Sequence, residues 1–73
     1  MQIVYERQAV KYIEGLDKPM KRRIKLAIEG LPLGDVKKLQ GSVNDYRLRV
    51  GNFRVLFSVQ CDIIIVKAVL PRG

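Results

Sequence analysis

Between Asp45 and Val59 apolar residues recur at every second position on either side of Gly51-Asn52, with Leu56 the one apolar residue out of step, and that alternation constrains the fold more than any other feature of the sequence. Tyr46, Leu48 and Val50 alternate with Arg47 and Arg49, and after Gly51-Asn52 the period returns in Phe53, Val55, Phe57 and Val59. A period of two belongs to strands with one buried face, and Gly51-Asn52 reads as the loop of a tight hairpin. Gln60-Cys61-Asp62 supplies a second turn. Ile63 to Leu70, rich in β-branched residues, reads as a further strand covered on both faces, which Pro71 ends.

Upstream the period is helical. Ala9, Val10, Ile13 and Leu16 share one helical face, with Gly15 at the point where the helix stops. Asp17 offers an N-cap and Pro19 suits a first turn, which opens a second helix with Met20, Ile24, Ala27, Ile28 and Leu31 on its buried stripe. Gly30, Pro32 and Gly34 end it, and Asp35 to Asn44 reads as a polar loop. The short β-rich start, Ile3-Val4-Tyr5, reads as a strand added to the sheet formed later. The expected fold is α+β: an N-terminal strand and a two-helix hairpin packed on a mainly antiparallel four-stranded sheet. Seventy-three residues make one such domain, 1–73, small enough to gain stability from a partner.

The hairpin register decides where the charges go. With a two-residue loop, Val50, Leu48 and Tyr46 lie opposite Phe53, Val55 and Phe57 on the helix-facing side. Arg49 then stands directly across from Arg54, with Arg47 beside Leu56, on the face away from the core. A tight turn at Cys61-Asp62 would set Lys67 opposite Leu56 and bring Ile63, Ile65 and Val69 to the same outer face. Like charges set opposite one another destabilise a sheet by up to about 1 kcal/mol, and an anion would relieve the strain. An arginine on an exposed strand also serves as an ordinary solvated residue, so the informative feature is the cross-strand grouping. Lys18, Lys21, Arg22, Arg23 and Lys25 form a second basic run, read as the wet face of the second helix.

Composition narrows the chemistry. Fourteen Lys and Arg against seven Asp and Glu leave a net charge of +7, which favours polyanions or acidic proteins. The chain contains no His and a single cysteine, Cys61, so a Cys/His zinc cluster, a Cys/His dyad and His-based acid–base catalysis are excluded. No metal and no cofactor are expected. No apolar run approaches the roughly 20 residues of a membrane helix, so the expected setting is the reducing cytoplasm.

The stretch Tyr46-Arg47-Leu48-Arg49-Val50-Gly51-Asn52-Phe53-Arg54-Val55-Leu56-Phe57, preceded by Lys38-Leu39-Gln40-Gly41, resembles the RelE/ParE superfamily of prokaryotic toxins from toxin–antitoxin pairs. The helical hairpin before it and the closing Leu70-Pro71-Arg72-Gly73 follow the same order. The resemblance implies a toxin wrapped and inhibited by an acidic RelB-like antitoxin, for which Ile63, Ile65 and Val69 are the expected contacts. RelE-like members cut messenger RNA on the ribosome through attack of its own 2′-hydroxyl, without a metal. In that frame Arg54 matches the arginine that steadies the attacked phosphate, and Arg72 the basic residue after the last strand. Arg47 and Arg49 fall on the pair of basic positions in the preceding strand and are expected to bind phosphate, and the register adds Lys67 to the same face as a further phosphate contact.

An arginine is a poor general base, so proton transfer has no evident carrier in this set. Many family members continue into a short tail bearing a Tyr, and this chain is expected to lack it and, as it stands, to be weak or inactive as a nuclease. Two other readings remain open: the resemblance also allows a ParE-like inhibitor of DNA gyrase, which needs no phosphate site, and the charge alone allows a plain nucleic-acid-binding module.

Overall fold

The computed structural model describes residues 2–71. In chain order the elements are β1 (Gln2–Tyr5), α1 (Arg7–Glu14), α2 (Lys18–Glu29), β2 (Asp35–Lys38), β3 (Asp45–Val50), β4 (Phe53–Gln60) and β5 (Ile63–Pro71). They form one sheet in the order β1-β5-β4-β3-β2, with α1 packed on β5 and α2 on β3.

Each helix forms and stops where local chemistry directs. Asp17 is extended and its side chain accepts a hydrogen bond from the Met20 backbone N–H, which satisfies one of the free donors of the first turn of α2. Gly15 and Gly30 receive the chain at the two C-termini. Between the helices and the sheet, Ala9, Ile13, Ile24, Ile28 and Leu31 meet Leu48, Val50, Val55, Phe57, Ile64, Val66 and Val69 in one core. Tyr46 closes that core at one end, stacked on Phe57 with ring centroids 5.6 Å apart.

The β3–β4 hairpin has the expected register, Tyr46 with Phe57, Leu48 with Val55, Arg49 with Arg54 and Val50 with Phe53. Gly51 opens its loop at φ 57°, the left-handed region that the tight hairpin turns demand. The space above Gly51 is taken by the Arg23 guanidinium, whose nearest nitrogen lies 3.1 Å from where a Cβ would stand. Arg23 is thus a cover for this turn as well as part of the wet face of α2.

Two features depart from the sequence expectation. The sheet has five strands, because Asp35–Lys38 of the expected loop pairs antiparallel with β3, Val36 against Leu48. Only Val36 in that segment offers an inward apolar side chain, so the strand exists through its pairing with β3 and not through its own pattern. The second departure is a bulge in β5. Phe57 pairs with Val66 but Leu56 pairs with Ala68, which leaves Lys67 as the extra residue. From there onward β5 is turned over relative to an unbroken hairpin: Val69 pairs with Val55 and is buried in the core at 2% exposure. The expectation that Val69 faces outward beside Ile63 and Ile65 is therefore corrected. The bulge lets the larger Val69, and not Ala68, fill the core.

Candidate functional site

The face of the sheet away from the helices is ordered in rows set by the strand register. Nearest the β3–β4 turn, Asp35, Arg49, Arg54 and Leu70 lie side by side. The next row is Lys37, Arg47, Leu56 and Ala68, and the one after it is Asp45, Ser58, Ile65 and Val4. Gln60, Ile63 and Gln2 complete the face. Consecutive rows are two residues apart along the strands, about 7 Å. The cations thus collect on β2, β3 and the start of β4, while the β5–β1 side is aliphatic.

Of the residues singled out from the sequence, Arg47, Arg49 and Arg54 come together as expected, with Arg49 and Arg54 directly paired across the ladder. Ile63 and Ile65 stand on the same face, half-buried. Lys67 reaches this face from the bulge, although Ala68 and not Lys67 is the partner of Leu56. Arg72 lies outside the described residues. Val69 is in the core; its place on the aliphatic side is taken by Val4, which pairs with Ile65, and by Leu70 beside Arg54.

The structure adds residues that the alternation did not reveal. Asp35 and Lys37 arrive on β2, with Asp35 Oδ2 3.9 Å from Arg49 Nε. Asp45 Oδ1 lies 3.7 Å from Lys67 Nζ, and Asp45 Oδ2 accepts a 2.7 Å hydrogen bond from Ser42 Oγ. Ser58, paired with Asp45 and Ile65, is 1% exposed, and its hydroxyl has no hydrogen-bond partner among the described residues. Arg54 has no ion-pair partner among the described residues.

The arrangement is suited to a linear polyanion. Guanidinium groups offer forked donors that match phosphate oxygens, and a five-stranded sheet fixes their spacing in advance. Cys61 is exposed in the β4–β5 turn, at the far end of β4 from Arg54. Burial, reinforced by the Glu29 carboxylate, raises the pKa of the Tyr5 phenol. Tyr5 belongs to a different region: it lines a cavity of about 100 Å³ with Val10, Ile13, Glu14 and Lys25.

No protein-family model matches the chain. The toxin RelE3 of Methanocaldococcus jannaschii is 37% identical over 81 residues, covering 99% of this chain and 91% of that protein. The fold superposes on the RelB–RelE antitoxin–toxin complex from Methanococcus jannaschii with a TM-score of 0.79 and 36% identity over 94% of this chain and 89% of that one. For the archaeal RelE–RelB complex from Pyrococcus horikoshii the TM-score is 0.80 and the identity 31%, over 99% and 94% of the two chains. Near-complete coverage at this identity establishes that the chain belongs to the RelE family of toxins.

Proposed function

We propose that this toxin cuts messenger RNA on the ribosome by promoting attack of the RNA's own 2′-hydroxyl on the adjacent phosphate. The observation that carries the reading is the directly opposed Arg49–Arg54 pair with Arg47 in the next row, all on the open face of a rigid sheet. Two guanidinium groups held across from each other repel until an anion sits between them. In the reaction the 2′-oxygen bonds to phosphorus as the 5′-oxygen leaves, giving a 2′,3′-cyclic phosphate and a 5′-hydroxyl. Negative charge grows on the non-bridging oxygens, and donors fixed in advance stabilise it most.

Arg54, free of any described carboxylate, is the group assigned to the attacked phosphate, and Arg72 to the phosphate or leaving group. Arg47, Arg49 and Lys67 hold the backbone on either side. Arginines act here through charge, since a guanidinium keeps its proton and is a poor base.

The toxin's partner is an acidic RelB-like antitoxin, in keeping with the net charge of +7 and with the RelB complexes of the related chains. An amphipathic segment of it covers the aliphatic side, Ile63 and Ile65 with Val4 and Leu70, and its acidic residues meet the arginine rows. The setting is the cytoplasm, where ribosomes are found. The test is expression in a bacterium with and without the antitoxin, with translation and DNA synthesis followed separately. Translation stops first if the reading holds; early arrest of DNA synthesis with translation intact contradicts it and favours gyrase.

A further inference from the structure

A serine hydroxyl without a partner is unusual in a sheet otherwise well paired, and Ser58 stands where it has a use. Its neighbours in the register, Asp45 and Ile65, are outer-face residues, so its side chain is directed to the face that carries the arginines. It is nonetheless buried. The cover follows from the topology. Lys67 springs from β5 and its ammonium is 3.7 Å from Asp45 on β3, so its side chain crosses β4, the strand between them, at the level of Leu56 and Ser58. The β5 bulge makes this crossing possible by giving Lys67 a position of its own, outside the ladder.

We propose that Asp45, Lys67 and Ser58 form a third phosphate position in line with the two arginine rows, closed in the free protein and opened by RNA. The inference rests on the reading of the outer face as RNA-binding and deepens it. The three rows, Arg49–Arg54, Lys37–Arg47 and Asp45–Ser58, are spaced about 7 Å apart along β3 and β4, comparable with the distance between successive phosphates of one nucleic-acid strand. A phosphodiester at the third row takes the Lys67 ammonium from Asp45, and the lysine stem moves off Ser58. The hydroxyl then donates to a phosphate oxygen, the partner it lacks in the free protein. Asp45 is a positioning residue: it holds Lys67 across β4 until an anion competes for it, and Ser42 fixes the orientation of its carboxylate.

The experiment is equilibrium binding of the full chain to single-stranded RNA with 2′-O-methyl groups throughout, which cannot be cut by 2′-attack. Oligonucleotides with two and with four phosphates are compared over a range of salt, and each variant is also melted to show that it is folded. The parent should gain affinity with length and steepen its salt dependence. Lys67→Met should lower the slope for the longer oligonucleotide by ~0.7, one phosphate's share on a single strand. Ser58→Ala should reduce the gain made on lengthening by about tenfold, as expected for a lost hydrogen bond to a charged group. Asp45→Asn should tighten binding of the longer oligonucleotide, and Asp45→Glu should restore the parent value.

If Ser58→Ala and Lys67→Met gain as much on lengthening as the parent, the third position is refuted while the arginine rows stand. If Asp45→Asn weakens binding as Lys67→Met does, Asp45 is structural and the closed state is refuted. If the parent binds neither oligonucleotide at low salt, the RNA-binding face and the third position fall together.

Discussion

Asp35 stands across the β2–β3 ladder from Arg49, its Oδ2 3.9 Å from the guanidinium Nε, while Arg54 faces the same Arg49 from the other side. One carboxylate thus serves the outer member of an opposed arginine pair, and Arg54 has no ion-pair partner among the described residues. The pair is exposed and worth at most about 0.5–1 kcal/mol. Its consequence is positional: Arg49 is drawn toward β2, while Arg54 has no carboxylate beside it among the described residues.

Replacing that carboxylate should separate stability from binding. Asp35→Asn is expected to lower the melting temperature by about 2–4 °C at low salt and by less at high salt. It should also tighten binding of single-stranded RNA, because a competing anion has gone. A titration against the same oligonucleotide at two salt concentrations checks both; weaker binding by the variant would show that Asp35 orients Arg49 for RNA.

The β5 bulge makes opposite demands on two neighbouring aliphatic residues. Val69→Ala removes methyl groups from the core and should cost about 2 kcal/mol in urea unfolding, whereas Ile65→Ala on the outer face should cost less than about 1 kcal/mol. Ile65→Ala should instead weaken capture of the antitoxin. Equal destabilisation by the two substitutions would contradict the register described for β5.

Tyr5 sets an alkaline limit. Burial, with the Glu29 carboxylate as the lesser cause, raises its pKa in the folded chain above the value near 10 of an unfolded one. The folded state therefore holds the phenolic proton more tightly, and this contribution to stability is complete below about pH 10 and lost as pH rises through the folded-state value. Melting curves at pH 9 and pH 11 should show a larger loss for the parent than for Tyr5→Phe. An identical loss in the two proteins would assign the alkaline sensitivity to other groups.

How far the sequence reveals this fold depends on where local pattern and tertiary pairing agree. The β3–β4 hairpin was legible because Gly51-Asn52 and alternation on both sides, broken only by Leu56, specify one register, and with it the Arg49–Arg54 pair. The helices were legible from Asp17, Gly15, Gly30 and the 3.6-residue spacing between them. Asp35–Lys38 was not, because a strand of four residues with one inward apolar side chain has no pattern of its own, and Asp35 and Lys37 were missed with it. Val69 was misplaced because a single unpaired residue reverses every position beyond it. A signal was present: unbroken alternation would bury Ala68 and expose Val69, the worse filling of a core. Asp45 and Ser58 follow from the same hairpin register one pair beyond Tyr46 and Phe57, whereas the ion pair of Lys67 with Asp45 has no mark in the alternation, because it depends on the β5 bulge.

The central claim is that Arg54, on the open face of the sheet, stabilises the phosphate at which messenger RNA is cut on the ribosome. The direct measurement maps RNA ends in a purified translation reaction containing the parent or Arg54→Ala, beside melting curves of both proteins. Arg54 is exposed and its removal relieves repulsion with Arg49, so the variant should melt within a few degrees of the parent. The parent should leave 2′,3′-cyclic phosphate ends on ribosome-bound message and none on free RNA, with cleavage by the variant reduced by about 10²-fold or more. A variant that is folded as well as the parent and cuts as fast would remove Arg54 from the site and contradict this account of the toxin.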